Sequence, residues 1–425
     1  MKYFGTDGIR GVVNQTINDK LIKKLGKALA YFYKKHKLEP KLIVGNDTRL
    51  SSDYILAVLE TVLLKYGIEI HNIGKCSSPC LAFLTRKHKF PIGLMISASH
   101  NPKEYNGLKF FNIYGEKVAD SFEQEIESYM EKQIKLSVQF AEVKNAQHLK
   151  NDYISMLKTL KKYNYPCLLD CAQGGSSEIA RQVFPATKIL NCSPNGININ
   201  QNAGCTHIEV LSFICRQKGL IGFAFDGDAD RVIAVDKTGE IINGDKILYI
   251  LSKFYLKSGS NLIGTINTNS GLAESLKNNQ INLIRAQVGD KCVYAQMKKL
   301  NAMLGGEESG HIIIKKHTNT GDGILTAICL MNILYLTKLS FTDLLKGYTE
   351  HFIAKENVKL SSTFKQTQDI KMLITKYTEQ GARVVIRPSG TEPVLRVFVE
   401  HRDKKTANNM VLNLVYIIKN LPKHT

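Results

Sequence analysis

The sequence predicts an α/β protein, with strands and helices alternating in layers. Three observations carry that prediction. Short apolar runs of strand length, such as Leu42-Ile43-Val44, Ile92–Ile96 and Ile221–Phe225, recur between segments with helical periodicity. Two of these runs, Ile92–Ile96 and Ile221–Phe225, carry no polar position, as strands buried on both faces do. The 425 residues, 44% hydrophobic and 22% charged, supply core for about three domains, or four small ones.

In chain order, Gly5-Thr6-Asp7-Gly8-Ile9-Arg10-Gly11 comes first. Its three glycines let backbone approach a ligand and Arg10 can fork onto phosphate oxygens, although a plain turn would look the same. Residues 19–35 place Leu21, Ile22, Leu25, Ala28, Leu29 and Phe32 on one helical face, with Asn18 as cap. The strand at 42–44 runs into Asn46-Asp47-Thr48-Arg49. A second helix follows through Ile55, Leu59, Val62 and Tyr66, capped by Ser51 or Ser52 and stopped by Gly67. Strand 92–96 ends in Ser97-Ala98-Ser99-His100-Asn101-Pro102. Asn-Pro forces a turn there, so the Ser99 hydroxyl sits on a short loop at a rigid strand end, where a nucleophile is well mounted. Taken alone, the hexapeptide serves equally well as a turn without chemistry. Asn106-Gly107-Leu108-Lys109 is turn then strand, which would aim Lys109 at the same cleft. A charged helix over 120–135 closes the first block, and a polar linker is expected near 144–151.

The second block has a strand at 167–170, a turn at Gly174-Gly175, a helix reaching Phe184, and a strand at 221–225 that delivers Asp226-Gly227-Asp228-Ala229-Asp230-Arg231. Three carboxylates at alternate positions repel unless a cation neutralises them, and oxygen-only ligands favour Mg²⁺. A calcium hand is excluded, because Arg231 stands where its glycine is needed and Lys237 where its bidentate Glu is needed. A solvated acidic turn is the weaker alternative. The third block carries Gly305-Gly306-Glu307-Glu308-Ser309-Gly310-His311, a glycine-framed loop whose carboxylates, hydroxyl and imidazole suit a polyol ligand. In the last block, Arg387, Ser389, Gly390 and Thr391 lie between two strands as a nest of N–H groups for phosphate, with Arg396 as a second charge.

The formal charge of +19 is spread along helices without an aromatic-rich RNA-binding pattern, so nucleic acid is a weak option and a phosphorylated small molecule a better one. The nine cysteines contain no Cys-x-x-Cys and are expected as reduced, mostly buried thiols. No apolar leader opens the chain, and the apolar stretch 324–336 is too short and too polar to span a bilayer, so a cytoplasmic location is expected. A Walker loop and a G-x-S-x-G elbow are both missing. His401-Arg402-Asp403 with Asn408 mimics a kinase catalytic loop, but no Asp-Phe-Gly follows.

The stretches GTDGIRG, SASHNP with NGLKFF, DGDADR, GGEESGH with TGDG, and RPSGTEP, in this order from residue 5 to residue 393, together resemble the α-D-phosphohexomutase superfamily. GTDGIRG, residues 194–200 and Val288-Gly289-Asp290 resemble its glucosamine branch in particular. The resemblance implies a heart-shaped molecule of four domains: three mixed α/β domains over 1–145, 146–240 and 241–352, and a smaller α+β C-terminal domain over 353–425. Each lends one loop to a central cleft. It implies a phosphoserine at Ser99 and one Mg²⁺ per subunit held by Ser99, Asp226, Asp228 and Asp230. Catalysis would fall to Ser99 with His100, Lys109 and Arg10, and His100 and Lys109 are both left open as the proton carrier. Arg231, Glu307, Ser309 and His311 would bind the sugar phosphate, and Arg387, Ser389, Gly390, Thr391 and Arg396 the phosphate that does not react. The implied activity interconverts glucosamine 6-phosphate and glucosamine 1-phosphate through phospho-Ser99 and a 1,6-bisphosphate, supplying UDP-N-acetylglucosamine for the cell wall. A phosphoglucomutase or phosphomannomutase, or a non-catalytic phosphosugar-binding regulator, are the alternatives. The partners implied are hexosamine phosphates, with no nucleic acid and no membrane, and a homodimer is left open. Four features depart from the pattern: Glu308 in place of a neutral amide, Ala229 in place of Gly, Lys291 in place of Arg, and a slightly short chain.

Overall fold

The first sheet consists of β1 (Ile9–Val12), β2 (Lys41–Asn46), β3 (Glu69–Lys75), β4 (Ile92–Ile96), β5 (Tyr105–Asn112) and β6 (Val143–Asn145), in the order β1-β5-β4-β2-β3-β6. All five residues of β4 are buried, which is why that strand shows no alternation. Strand β2 runs parallel to both β3 and β4, while β5 returns antiparallel and sets Lys109 opposite Met95. Helices Asp19–Lys35 and Leu50–Leu63 cover the sheet through one core that includes Leu25, Leu29, Leu59 and Leu94. The computed structural model describes residues 2–5, 7–359, 367–388 and 394–420.

The second sheet has β7 (Cys167–Asp170), β8 (Lys188–Leu190), β9 (Ile221–Phe225), β10 (Val232–Val235) and β11 (Ile241–Ile242), in the order β11-β10-β9-β7-β8. The third has β12 (Asn261–Thr265), β13 (Asn282–Ala286), β14 (Leu304–Gly306) and β15 (Ile312–Ile314), in the order β13-β12-β14-β15. The fourth has β16 (Phe352–Lys359), β17 (Arg383–Pro388) and β18 (Val394–His401), with β18 central and all pairing antiparallel. The chain divides into two compact units, Met1–Asn267 with Ile284–Lys346, and Thr268–Leu283 with Gly347–Thr425. In the second unit, helices Gln368–Glu379 and Lys404–Lys419 pack on the fourth sheet through Ile370, Leu395, Val397 and Leu414.

Several local expectations are met and several are corrected. Asn18 caps the first helix, its side chain accepting from the Leu21 N–H at 3.0 Å. The second helix instead starts behind Arg49, which makes no side-chain cap, because Ser52 is turned inward to donate to Asp47. The helix expected over 120–135 ends at Met130. The stretch near 144–151 is no linker: it forms β6, parallel to β3, then a 3-10 turn and the helix Lys150–Leu160. Short polar strands at a sheet edge carry little hydrophobic signal, so composition alone reads them as loop. The cysteines are free, with Cys205 half-buried and Cys292 exposed. No described helix is long and apolar enough to cross a membrane.

Candidate active site

The chemistry-bearing loops of the first unit leave the carboxyl ends of parallel strands, the usual place for a site in an open α/β sheet. Ser99 follows β4, Asp47 and Arg49 follow β2, and Asp226 follows β9. Ser99 is 1% exposed and sits in the left-handed region with φ 52°, a conformation that costs a non-glycine residue roughly 1 kcal/mol and persists only when its surroundings hold it. The holding groups are buried and polar. The Ser99 N–H donates to the Ser97 hydroxyl at 2.9 Å, and Ser97 in turn donates to Asp47. Arg49, fully buried, pairs with Asp47 at 2.9 Å and donates to the carbonyls of Ser99 (2.9 Å), Asn101 (2.7 Å) and Pro102. The Asn200 amide donates to the carbonyls of Ser99 and Asn101 from the second sheet's side. Sequence reasoning does not single out Asp47, Arg49 or Asn200. A charged pair directly after a buried parallel strand is the one available signal.

The Ser99 hydroxyl donates to Asp226 at 2.5 Å. Gly227 lies so close over the Ser99 carbonyl that no Cβ fits there, and Ala229 adopts φ 56°, the conformation that makes glycine the easier residue at that position. Asp226, Asp228 and Asp230 bring one oxygen each within 4.8 Å of one another, and one oxygen each of Asp228 and Asp230 is buried without a hydrogen-bond partner. Burial, with the charges of Asp230 and Asp228, pushes the Asp226 carboxyl up to about 8. Such a cluster fits a divalent cation, whose charge would remove both the repulsion and the orphaned oxygens.

Lys109 reaches into this cluster from β5, 2.7 Å from Asp228, 3.1 Å from Asp7 and 3.5 Å from Asp230. Burial opposes its charge, but those three carboxylates hold it well above the ordinary lysine range. Asp7 also pairs with Arg10 and Lys117, Lys117 with Asp290, and Asp290 with the His311 Nε2 at 3.2 Å. Alternating charges thus run without a break from the aspartate loop to the imidazole on the 305–311 turn. Lys117 and Asp7 carry no catalytic expectation from the sequence. Burial works against a charged Asp230, yet Lys109, His311 and Arg231 bring it down to about 2. Burial likewise works against the His311 cation, while Asp290 raises it. His100 goes the other way, pushed to about 4 by burial and by the guanidiniums of Arg231 and Arg10.

Beside this cluster, and sharing Asp230 with it, lies a cavity of about 760 Å³ lined by Arg10, His100, Asp230, Arg231, Glu307, Ser309 and His311, among others. The structure therefore brings eleven of the expected residues together in the first unit: these seven, with Ser99, Lys109, Asp226 and Asp228 bonded in the adjoining cluster. Arg387 and Arg396 belong to the second unit, where they face each other across β17 and β18. Ser389, Gly390 and Thr391 fall outside the described residues.

With that geometry in hand, comparison with known proteins defines first a class. Family models described as phosphoglucomutase/phosphomannomutase, alpha/beta/alpha domains I and III and C-terminal domain, match residues 1–137, 243–352 and 353–415. Among solved structures, a phosphoglucomutase/phosphomannomutase family protein from Burkholderia thailandensis superposes with a TM-score of 0.81 at 21% identity, covering 99% of this chain and 98% of that one. The N-acetylphosphoglucosamine mutase of Aspergillus fumigatus, solved with GlcNAc-6P and magnesium, gives 0.66 at 16% over 98% of this chain and 95% of its own. At these identities the likeness speaks for the fold. Sequence comparison is narrower: phosphoglucosamine mutases of Thermotoga neapolitana and Clostridium botulinum are 40% and 37% identical, each over 99% of this chain and over 99% and 100% of their own lengths. The chain belongs to the α-D-phosphohexomutase superfamily, within its bacterial phosphoglucosamine mutase family.

Proposed function

We propose that this chain interconverts glucosamine 6-phosphate and glucosamine 1-phosphate, using Ser99 as the residue that lends and recovers the phosphoryl group. The observation that carries the reading is the Ser99 hydroxyl bonded to Asp226 at 2.5 Å, at the edge of three buried carboxylates, one of which, Asp230, lines with His100 and Arg231 a polar cavity large enough for a hexose bisphosphate. In the first half-reaction the bond from phosphorus to the Ser99 oxygen breaks as a bond to the sugar 1-oxygen forms, that being the free end of glucosamine 6-phosphate. The resulting 1,6-bisphosphate turns over in the cavity, and Ser99 takes back the phosphoryl group from the other end.

Such a transfer needs charge neutralisation and alignment more than covalent help. Arg10, Lys109 and Arg231 supply fixed positive charge around Ser99. Lys109, locked among three carboxylates, serves as a charge and is a poor proton carrier. The proton leaving the sugar 1-hydroxyl then falls to an imidazole that lines the cavity, His100 or His311, and is balanced by the one the departing Ser99 oxygen takes up; in the second transfer Ser99 gives up its proton and the sugar 6-oxygen gains one. Asp226, Asp228 and Asp230 would hold Mg²⁺, which when bound supplies further charge neutralisation at the transferring phosphate. Glu307 and Ser309 suit the sugar hydroxyls. Arg387 and Arg396, with residues 389–391, suit the phosphate that stays put.

The four domains are taken to follow the four sheets, one loop from each. A cytoplasmic location, supply of UDP-N-acetylglucosamine for the cell wall, and a homodimer complete the reading; sedimentation would measure the last. The test of the core claim is Ser99→Ala. Intact mass of the purified wild type should exceed the variant's by one phosphate beyond the one-oxygen difference, and the variant should lose mutase turnover while keeping its fold by circular dichroism. An S99A protein with full turnover would refute the assignment.

A further inference from the structure

We infer that Cys192 and Cys171 form a site of reversible oxidation, in which Cys192 reacts with a hydroperoxide, Cys171 closes a disulfide onto it, and the closed bridge slows turnover. The bridge itself is independent of what the chain catalyses; its effect on turnover rests on the mutase reading above.

The two cysteines follow the ends of β7 and β8. These strands run parallel with Asp170 opposite Leu190, and the chains stay side by side beyond that pair: the Cys171 N–H donates to the Leu190 carbonyl at 3.1 Å and the Gln173 N–H to the Asn191 carbonyl at 2.7 Å. Neighbouring strands lie about 4.8 Å apart and a disulfide joins Cα atoms about 4.4–6.8 Å apart, so residues one register position out of step are well spaced for a bridge. The two thiols already share a hydrogen bond. Their surroundings differ. Cys192 is 8% exposed, and its sulfur accepts from the Arg181 Nε at 3.2 Å, whereas Cys171 is fully buried. Arg181 is itself exposed and also donates to the Cys192 carbonyl, which fixes the guanidinium over this sulfur. The bond from Cys171, with Arg181, brings the Cys192 thiol down to about 6 although burial opposes it; the same bond and burial push Cys171 well above the ordinary thiol range. The thiolate is the nucleophile, so Cys192 reacts first and Cys171 second.

In the first step a bond forms from the Cys192 sulfur to one peroxide oxygen as the O–O bond breaks; sulfur is oxidised to a sulfenic acid, and the released hydroxide takes up the proton that Cys192 gave up. In the second, the Cys171 sulfur attacks that of Cys192, the S–O bond breaks, and the hydroxyl leaves as water with the Cys171 proton. Cys171 opens a loop that touches the catalytic strings. The Gly175 N–H donates to the Gly227 carbonyl at 2.8 Å, between Asp226 and Asp228, and Gly174 is pressed so close to Gly227 that no Cβ fits. The Ala172 carbonyl accepts from the N–H of Asn200, whose amide holds the Ser99 carbonyl. A disulfide draws its sulfurs to about 2 Å, inside the separation of hydrogen-bonded thiols, so closing it pulls on this loop.

The test is to treat the reduced full-length protein with hydrogen peroxide, block free thiols with N-ethylmaleimide, and map the peptides by mass. A Cys171–Cys192 cross-link should form, turnover of glucosamine 6-phosphate should fall about tenfold, given that a 1 Å misplacement costs about a hundredfold, and dithiothreitol should reverse both. Cys192→Ser should keep the turnover of the reduced wild type and lose the response to peroxide, while Cys292→Ser, which removes the exposed thiol, should respond as the wild type does. Peroxide-treated wild type without the cross-link would overturn the inference, and that result needs no variant to fold. A cross-linked protein with unchanged turnover, or an equal loss in C192S, would overturn the effect on turnover. A reduced wild type that turns over no hexosamine phosphate would instead overturn the mutase reading, with the cross-link still to be seen in the peptide map.

Discussion

Arg49 touches no substrate in the proposed mechanism, yet its replacement should be among the most damaging changes in the first unit. Its guanidinium makes four hydrogen bonds, to Asp47 and to the carbonyls of Ser99, Asn101 and Pro102, with no solvent exposure on either partner of the ion pair. Arg49→Met leaves the Asp47 carboxylate buried without its cation, a loss of about 3–5 kcal/mol. The three carbonyls then lose a donor, at about 1 kcal/mol each. The sum, roughly 6–8 kcal/mol, is comparable to the whole stability of a typical domain, so the variant should fail to fold or should melt near room temperature. Arg49→Lys keeps the charge, but one ammonium cannot fork onto groups on two sides, and about 2 kcal/mol should be lost, confined to the Ser99 loop. That corresponds to roughly thirtyfold faster hydrogen exchange at the Ser99 amide, whose native partner is the Ser97 hydroxyl, together with a fall in kcat. Because a chain of several domains does not unfold in one step, exchange measured residue by residue is a better assay than a single melting temperature. Adding Asp47→Asn to Arg49→Met should restore part of the loss, since the stranded charge is then gone. Unaltered Ser99 exchange and kcat in R49K would refute the claim that this arginine holds the serine in its left-handed conformation.

Two further predictions concern titrating groups. The Asp226 carboxyl is pushed up to about 8 when Ser99 carries its free hydroxyl, so Mg²⁺ uptake at neutral pH by protein freed of the Ser99 phosphate should release a proton, and the apparent affinity should rise with pH until about pH 8 and then flatten; titration calorimetry in two buffers of different ionisation enthalpy checks this, and a proton count near zero would contradict it. Asp322 is pushed up to about 6 by burial while it accepts from Tyr153 at 2.7 Å and caps the helix Gly323–Thr337. Its raised value means that the folded state binds this proton more tightly than the unfolded chain, so the contribution is fully present below about pH 4 and is lost as pH rises through about 6, by about 3 kcal/mol in all. The thermal stability of wild type relative to Asp322→Asn should fall across that window, and a flat difference would count against it.

Much of the site is legible in the chain because its chemistry is carried by short, dense strings. The run Asp226-Gly227-Asp228-Ala229-Asp230 announces a cation by mutual repulsion alone, and Ser99 stands out because a buried strand ends just before it. Polar residues that support rather than react leave no such mark. Asp47, Arg49 and Asn200 look like ordinary loop residues, and Lys117 looks like one more surface lysine in a chain with 57 lysines and arginines. Which charges are buried depends on what is packed over them, and that information is spread widely along the chain, as between Arg49 or Asn200 and the Ser99 carbonyl they share.

The primary structure alone settled the α/β layering and the placement of the reactive strings at strand ends, since periodicity and turn residues act within a few positions of one another. Tertiary structure alone decided that β6 is a strand, that Lys109 is a clamped cation, and that one ladder of alternating charges links the aspartate loop to His311. The reason is the range of the forces involved. A strand at a sheet edge and a buried ion pair owe their existence to neighbours brought in from distant parts of the chain, and the cost of leaving a charge unpaired out of water makes those neighbours obligatory.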